Sequence, residues 1–365
     1  MPPLGLSAVV RKVLGRKTFD PAAGTPAMVA PLAHYRSRPH DSVLVLQNGP
    51  NPSTDYYLRP RLEGVQTPVA FADLGMAPGR CELLGGARSL MVVFCRYASV
   101  PWLEALEAAQ DRLARVAFFM DDDLPGMIAA PDLPQAYRRR LWSRFGEHAL
   151  RISDLASEVW VSTPTLAQRY ADSRPRVLTP LPDEDPPAPS ADAPPRVVYH
   201  STGVHGPERR FVVEVARRLA DAGRPVVFEI TGDADVRRAC AGLANVRVVP
   251  QLPWPKYLQR QRLAAAAISL APLYTSAINE GRAPVKAFEA ARLGAAGLYA
   301  DTAPYRGFVR PDEDGQMLPM DVEAWARAIA ELLDRPQRRL ALATAARMRM
   351  IQLRRDGGPL PPPAA

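Results

Sequence analysis

Apolar residues along this chain fall in short blocks, not at every second position. From residue 42 the blocks recur, each closed by glycine, proline or polar residues and each followed by a stretch of helical period. Val43–Leu46, Val69–Phe71, Leu90–Phe94, Val116–Met120 and Val159–Ser162 read as strands. Uninterrupted apolar runs of this length suit strands covered on both faces, as in a parallel sheet. Trp102–Leu113 and Leu133–Ala156 have helical period, and so does Thr163 to Tyr170, with Ser162 or Thr163 as its cap. Gln47 to Ser53 is rich in turn residues and predicts a loop.

The same beat returns further on. Arg196–His200, Val226–Thr231, Val246–Val249, Ala267–Ala271 and Gly297–Ala300 read as strands. Helices are predicted at Glu208–Ala222, Tyr257–Ala264, Pro284–Leu293, Asp321–Leu333 and Arg338–Leu353, with a turn and short helix over Gly232 to Ala241. Between the two series the apolar period vanishes in a proline-rich run, which predicts a linker over residues 181–195. The pattern predicts an α/β chain of two Rossmann-like, doubly wound parallel-sheet domains facing a cleft. The boundaries are a lead over 1–40, a first domain over 41–180, a second over 196–335, a last helix over 336–356 and a tail over 357–365. Ligands of such sheets bind beyond the carboxyl ends of strands, so the chemistry is sought in the loops that follow them.

Composition narrows the function. Of 365 residues 47% are hydrophobic and 23% charged, which excludes bulk disorder. No apolar run approaches the roughly 18 residues of a spanning helix. Three cysteines, Cys81, Cys95 and Cys240, exclude a disulfide framework and a zinc ribbon and suit a reducing, cytoplasmic setting. The net charge of +8 is almost all arginine, dispersed among aspartates with no basic stripe. That argues against nucleic acid and for anionic partners, either phosphorylated substrates or an acidic membrane face. Val9 to Lys17 reads either as a short basic helix lying on the inner membrane face or as a frayed terminus.

The densest chemistry lies in Leu270 to Val309. A strand ends at Pro272, a polar loop follows, and a helix begins near Pro284. Loop and helix N-terminus together offer N–H groups and a positive dipole end to a phosphate. Lys286 and Glu289 share a face three residues apart. Lysine for a diphosphate and carboxylate for ribose hydroxyls would grip a nucleotide; an ordinary surface ion pair has the same spacing. In the first half, Val116–Met120 runs into Asp121, Asp122 and Asp123. These carboxylates fit a divalent metal site, a general base for an acceptor hydroxyl, or an acidic helix cap. The loop after the first strand offers Asn48, Ser53, Asp55 and Tyr56 to an acceptor, or forms a plain turn. His205, beside Gly203, reads as a phosphate or sugar ligand or as a loop histidine. No histidine has metal-ligand spacing, and nucleophile-elbow, Walker and dinucleotide glycine motifs are absent.

The segment Pro284, Lys286, Glu289, Gly294, Asp301, Pro304 and Tyr305 resembles the donor site of GT-B glycosyltransferases of the bacterial family 4 group. Tyr199 to His205, Ile230 to Asp233 and Asn245 to Tyr257 extend the resemblance over about residues 196–335. It implies transfer of a sugar from a nucleotide-diphosphate sugar, UDP or GDP type, with retention and without metal or cofactor. The acceptor would be a glycan, lipid-linked or protein hydroxyl in bacterial surface glycan or glycoconjugate assembly. Gly203, Arg209, Arg210, Gly232, Pro250, Tyr257, Asn279, Lys286 and Glu289 would hold the donor. Asp121, Asp123, His205 and Glu280 would serve the reaction, and the last helix would cross back to the first domain. The family's first glutamate, eight positions before Glu289, is Gly281 here, which leaves the sugar to Glu280 or Asn279. Its arginine–lysine pair is likewise displaced, with Arg209 and Arg210 standing in. Two rival readings follow: a catalytically degenerate protein of this fold that binds a glycan or partner, and a metal-dependent transferase using Asp121 and Asp123.

Overall fold

A computed structural model describes residues 27–31, 38–190, 192, 195–224 and 226–362. The Val9–Lys17 helix expected at the start of the chain lies outside these residues. The described chain forms two compact units. One holds the residues up to Gly49, Gly64–Leu178 and the chain from Pro361; the other holds Pro50–Glu63 and Thr179–Leu360.

The first unit is built on a six-stranded sheet. Its strands are β1 (Ser42–Gln47), β2 (Val69–Asp73), β3 (Leu90–Cys95), β4 (Leu113–Met120), β5 (Glu158–Val161) and β6 (Arg176–Val177). They lie in the order β2-β1-β3-β4-β5-β6 and every pair is parallel. β1, β3, β4 and β5 are buried along their whole length, which is why they are mostly apolar; the buried charges Arg115 on β4 and Glu158 on β5 pair with each other. The order reverses between β1 and β3, so this is the sheet's switch point.

The second unit repeats the plan. Its strands are β7 (Arg196–Tyr199), β8 (Val227–Thr231), β9 (Val246–Val249), β10 (Ile268–Ala271), β11 (Ala296–Ala300) and β12 (Gln316–Leu318). The parallel order is β12-β11-β10-β7-β8-β9, with its switch point between β7 and β10. Two Rossmann-like doubly wound sheets are therefore present, as the periodicity predicts.

Two expectations need correction. The loop after β1 conceals a helix: the chain is helical over Thr54–Leu58 and Arg59–Leu62, and it belongs to the second unit. Asn51 starts it, accepting from the Thr54 N–H at 3.0 Å through Oδ1 and donating to the Thr54 hydroxyl at 3.0 Å. Leu133–Ala156 is not one helix but Gln135–Leu141, a wide turn at Trp142–Gly146 and Ala149–Leu155. A side chain at Gly146 would meet the Trp142 ring, so the turn closes only with glycine there. The last helix, Pro336–Asp356, packs on β11 and on the helix Val285–Arg292 of its own unit. The extended chain from Pro361 belongs to the first unit, and the Pro361 carbonyl accepts from Arg115 Nη2 at 2.6 Å.

The proline-rich run is not a free linker either. Leu178, Pro180, Leu181 and Pro182 are buried. The Leu181 N–H donates to the Tyr56 carbonyl at 2.7 Å, and the Pro186 carbonyl accepts from Arg347 at 2.8 Å. Among the described residues no helix is long and apolar enough to cross a membrane.

Candidate functional site

The switch point of the second sheet gathers polar side chains from four segments. β7 ends at Tyr199, and His200 follows it into the loop. β10 ends at Ala271, and a loop with the short helix Ala277–Glu280 leads to the helix Val285–Arg292. Lys286, in that helix's first turn, reaches back to the loop after β7 and donates to the His200 carbonyl at 2.6 Å. It also pairs with Glu289 Oε2 at 2.7 Å, so the predicted shared face is real. Tyr257, from the helix Trp254–Leu263, donates its hydroxyl to the same oxygen at 2.8 Å. Glu289 Oε1 takes no hydrogen bond among the described residues and remains open to a ligand.

Behind this group lies a buried polar chain. His200 Nδ1 is 3.3 Å from the Tyr257 hydroxyl, and its Nε2 is 3.1 Å from Glu229 Oε1. Glu229, on β8, is 1% exposed and also pairs with Arg196 at 3.2 Å and Arg260 at 2.8 Å. Burial alone would raise the Glu229 carboxyl; hydrogen bonds from His200 and Arg260 and the charge of Arg196 outweigh it. The result is a fall from near 4.5 to about 2. A carboxylate depressed in the folded state stabilises the fold fully above its unfolded value and less as pH falls toward the folded one. Acidification from pH 4.5 to pH 2 is therefore expected to weaken the wild-type protein more than Glu229→Gln, as read from urea midpoints at each pH. At neutral pH the variant is the weaker of the two.

A second cluster lies along the loop after β7. His205 Nδ1 is 3.7 Å from Glu208 Oε2. Burial pushes the imidazole down, the nearby Arg282 and Lys286 push it further, and Glu208 opposes them. Burial would raise Glu208, but His205 and backbone N–H groups, Tyr274 included, hold it below the usual range. His205, Arg282 and Lys286 are thus electrostatic neighbours, and Arg282 is a cation that the sequence pattern does not single out. Its Nε donates to Asn279 Oδ1 at 2.9 Å, and Asn279 Nδ2 donates to the Tyr274 carbonyl at 2.8 Å. The Asn279 side chain therefore braces the loop. Glu280, by contrast, is exposed and its carboxylate is unpaired among the described residues. It lines a cavity together with Asn279, Tyr274, Asp301, Thr302 and Arg306.

The remaining donor-side candidates divide by role. Arg209 Nη2 folds over the loop to donate to the Gly203 carbonyl at 2.8 Å, while Arg210 is exposed. Gly203 has open space around it. Gly232 does not: a Cβ there would meet Val236, so glycine admits the helix Ala234–Ala239 against the strand end. Pro250 is exposed just past β9.

The acceptor-side candidates are placed differently from one another. Asn48 is exposed at the end of β1. Ser53 and Tyr56 are each 1% exposed. The Tyr56 hydroxyl accepts from Arg292 Nη1 at 2.9 Å, and its ring meets Trp254 edge-on. Asp55 accepts from the Trp254 indole at 2.7 Å and from Arg59 at 3.0 Å. These groups fasten the Thr54–Leu62 helices to the second unit. Asp123 is 4% exposed; it caps the helix Leu124–Ala129 through the Gly126 N–H at 2.9 Å and also receives Arg169 and the Tyr170 hydroxyl. Asp121 and Asp122 pair with Arg96 at 3.2 Å and 3.3 Å. Of the three carboxylates, Asp123 is thus a helix cap and Asp121 and Asp122 remain at the sheet edge.

Two doubly wound parallel sheets of these strand orders, the second with its polar residues gathered at the switch point, define the GT-B fold of glycosyltransferases. HepE from Anabaena, solved with UDP and glucose, superposes with a TM-score of 0.56 over 86% of this chain and 95% of its own, at 13% identity. Sucrose-phosphate synthase from Thermosynechococcus elongatus gives 0.54 over 86% and 94%, at 15% identity. An alpha-glucosyltransferase solved with UDP and a 13-mer DNA gives 0.57 over 86% and 96%, at 11% identity. No protein-family model and no curated protein matches the sequence.

Proposed function

We propose that this protein is a glycosyltransferase that moves a sugar from a nucleotide-diphosphate sugar, UDP or GDP type, to an acceptor hydroxyl. The observation that carries the reading is the convergence of Lys286, Glu289, Tyr257 and His200 at the β7–β10 switch point. Glu289, with one oxygen fixed and one open, takes the ribose hydroxyls. Lys286, Arg282 and Arg209 face the diphosphate with the N–H groups of the loop after β7, and they stabilise the charge that develops as it departs. Fixed cations of this kind supply the electrostatic work without a metal ion. Glu280 holds the transferred sugar, and His205 sits where it can hydrogen-bond to phosphate or sugar. Asp121 is the acceptor-side carboxylate, poised to take the hydroxyl proton. The comparison structures that hold UDP support a nucleotide donor by analogy of fold.

Retention at the anomeric carbon and a glycan, lipid-linked or protein acceptor in bacterial surface glycan assembly complete the proposal. The excess of positive charge suits loose attachment to an acidic inner membrane face. The test is calorimetric titration with UDP, GDP, ADP, TDP and CMP, each with and without EDTA. One diphosphate should bind with a Kd below about 1 mM, unchanged by EDTA. Loss of binding in EDTA would transfer the reading to a metal-dependent site. Absence of binding by all five would leave a degenerate protein of this fold that binds a glycan or partner.

A further inference from the structure

The first sheet has its own switch point, between β1 and β3, and the side chains at its carboxyl edge have an unusual charge arrangement. Arg96 is the first residue past β3. It holds a φ of 70°, a left-handed conformation that a residue with a side chain seldom adopts. The bend places its guanidinium against Asp121 and Asp122, so its charge is neutralised. It also lies 5.3 Å from the centre of the Tyr97 ring. Arg144 lies 5.8 Å from the same ring, and its carbonyl accepts from the Ala98 N–H at 3.1 Å, which anchors its backbone beside the strand end. Arg140, one turn earlier, covers the Tyr137 ring at 5.1 Å. Tyr137 is itself within electrostatic reach of Arg96.

Arg140 and Arg144 have no carboxylate partner among the described residues. Stacking on a ring holds a guanidinium in place, yet it leaves the N–H fork in the plane free to donate. The geometry points to an anion site: we propose that Arg144 and Arg140, held on Tyr97 and Tyr137, bind a carboxylate or phosphate group of a sugar acceptor at the first sheet's carboxyl edge. The inference rests on the glycosyltransferase reading for the word acceptor, and on the first unit alone for the site. The surrounding charge supports it. Asp121 and Asp122 are taken by Arg96 and Asp123 by Arg169 and Tyr170, so each carboxylate of the run is paired with a group other than Arg140 and Arg144. A planar fork also matches two oxygens of carboxylate or phosphate better than it matches a neutral hydroxyl.

The experiment is an NMR titration of the full chain with methyl glucuronide, glucose 6-phosphate and methyl glucoside. At least one charged sugar should bind about tenfold more tightly than the neutral one, as expected for a charge-assisted contact. Which of the two binds separates a carboxylate from a phosphate acceptor. Arg144→Gln should remove that advantage, and raising NaCl from about 50 to about 500 mM should weaken only the charged probes. Arg140→Gln, on an exposed side chain, serves should the Arg144 variant fail to fold. Equal binding of all three sugars, or a folded Arg144→Gln, Arg140→Gln double variant with its preference intact, would overturn the proposal. A chain that prefers the charged sugars but binds no nucleotide keeps this site and loses the donor reading, so the two failures are distinct.

Discussion

Glu289→Ala should lower the affinity for the cognate nucleoside diphosphate by about a hundredfold. The carboxylate is at once the proposed ribose ligand and the group that fixes Lys286 and Tyr257. Two hydrogen bonds from ribose hydroxyls to an ionised acceptor contribute about 1.5 kcal/mol each, and a hundredfold is about 2.7 kcal/mol. Glu289→Gln keeps an acceptor oxygen but not the charge, so it should lose about tenfold. Calorimetric titration at one temperature separates these figures from any effect on folding. A nucleotide affinity within twofold of wild type in Glu289→Ala would reduce the Lys286–Glu289 pair to an ordinary ion pair.

Arg292→Ala should be the most damaging single change for stability. The Arg292 side chain is 4% exposed; it donates to the Tyr56 hydroxyl and to Gln261 Oε1, each at 2.9 Å, and pairs with Asp183. It also covers the Tyr56 ring. Burial would lower its pKa, but Tyr56 and Asp183 prevail and hold it charged. Truncation leaves three polar groups facing a void, a loss of about 3 kcal/mol or more. For a unit of this size that corresponds to a melting temperature lower by about 10 °C, measurable by calorimetry. Arg292→Lys should recover little, because an ammonium lacks the planar fork that spans three acceptors. A drop under about 2 °C would show that the Thr54–Leu62 helices are held mainly by apolar packing.

The sheets were legible in the sequence because strands buried on both faces are mostly apolar, the few buried charges such as Arg115 and Glu158 being paired. The strands that escaped were β6 and β12, short edge pieces with partly exposed side chains. An edge strand needs little apolar residue, so it leaves little trace. The segment around Tyr56 misled for the opposite reason. Gly49, Pro50 and Pro52 are true turn residues, and they mask the helix that begins two positions later. At the site, Lys286 and Glu289 were visible because they are three residues apart on one helix. His200, Glu229 and Arg282 were not, because their partners come from other segments and only folding brings them together. Arg292 is on the same helix as Lys286, yet its acceptors are Tyr56, Asp183 and Gln261. No local spacing announces such a partnership. The third aspartate of the 121–123 run shows the limit of composition: one carboxylate caps a helix while its neighbours remain at the sheet edge, and the letters alone are identical.

The segment Pro50–Glu63 belongs to the second unit although it is encoded within the first. The order of synthesis and the order of assembly are therefore different. On the ribosome, Tyr56 emerges long before Arg292 and Asp183 exist, so its native partners are still missing when the strands on either side of it in the sequence have been made. The first unit, in turn, takes Pro361 and Pro362 only after the whole of the second unit has been made. Neither unit corresponds to one uninterrupted stretch of gene. Exchange of the part after the proline-rich run alone would separate Arg292 from Tyr56.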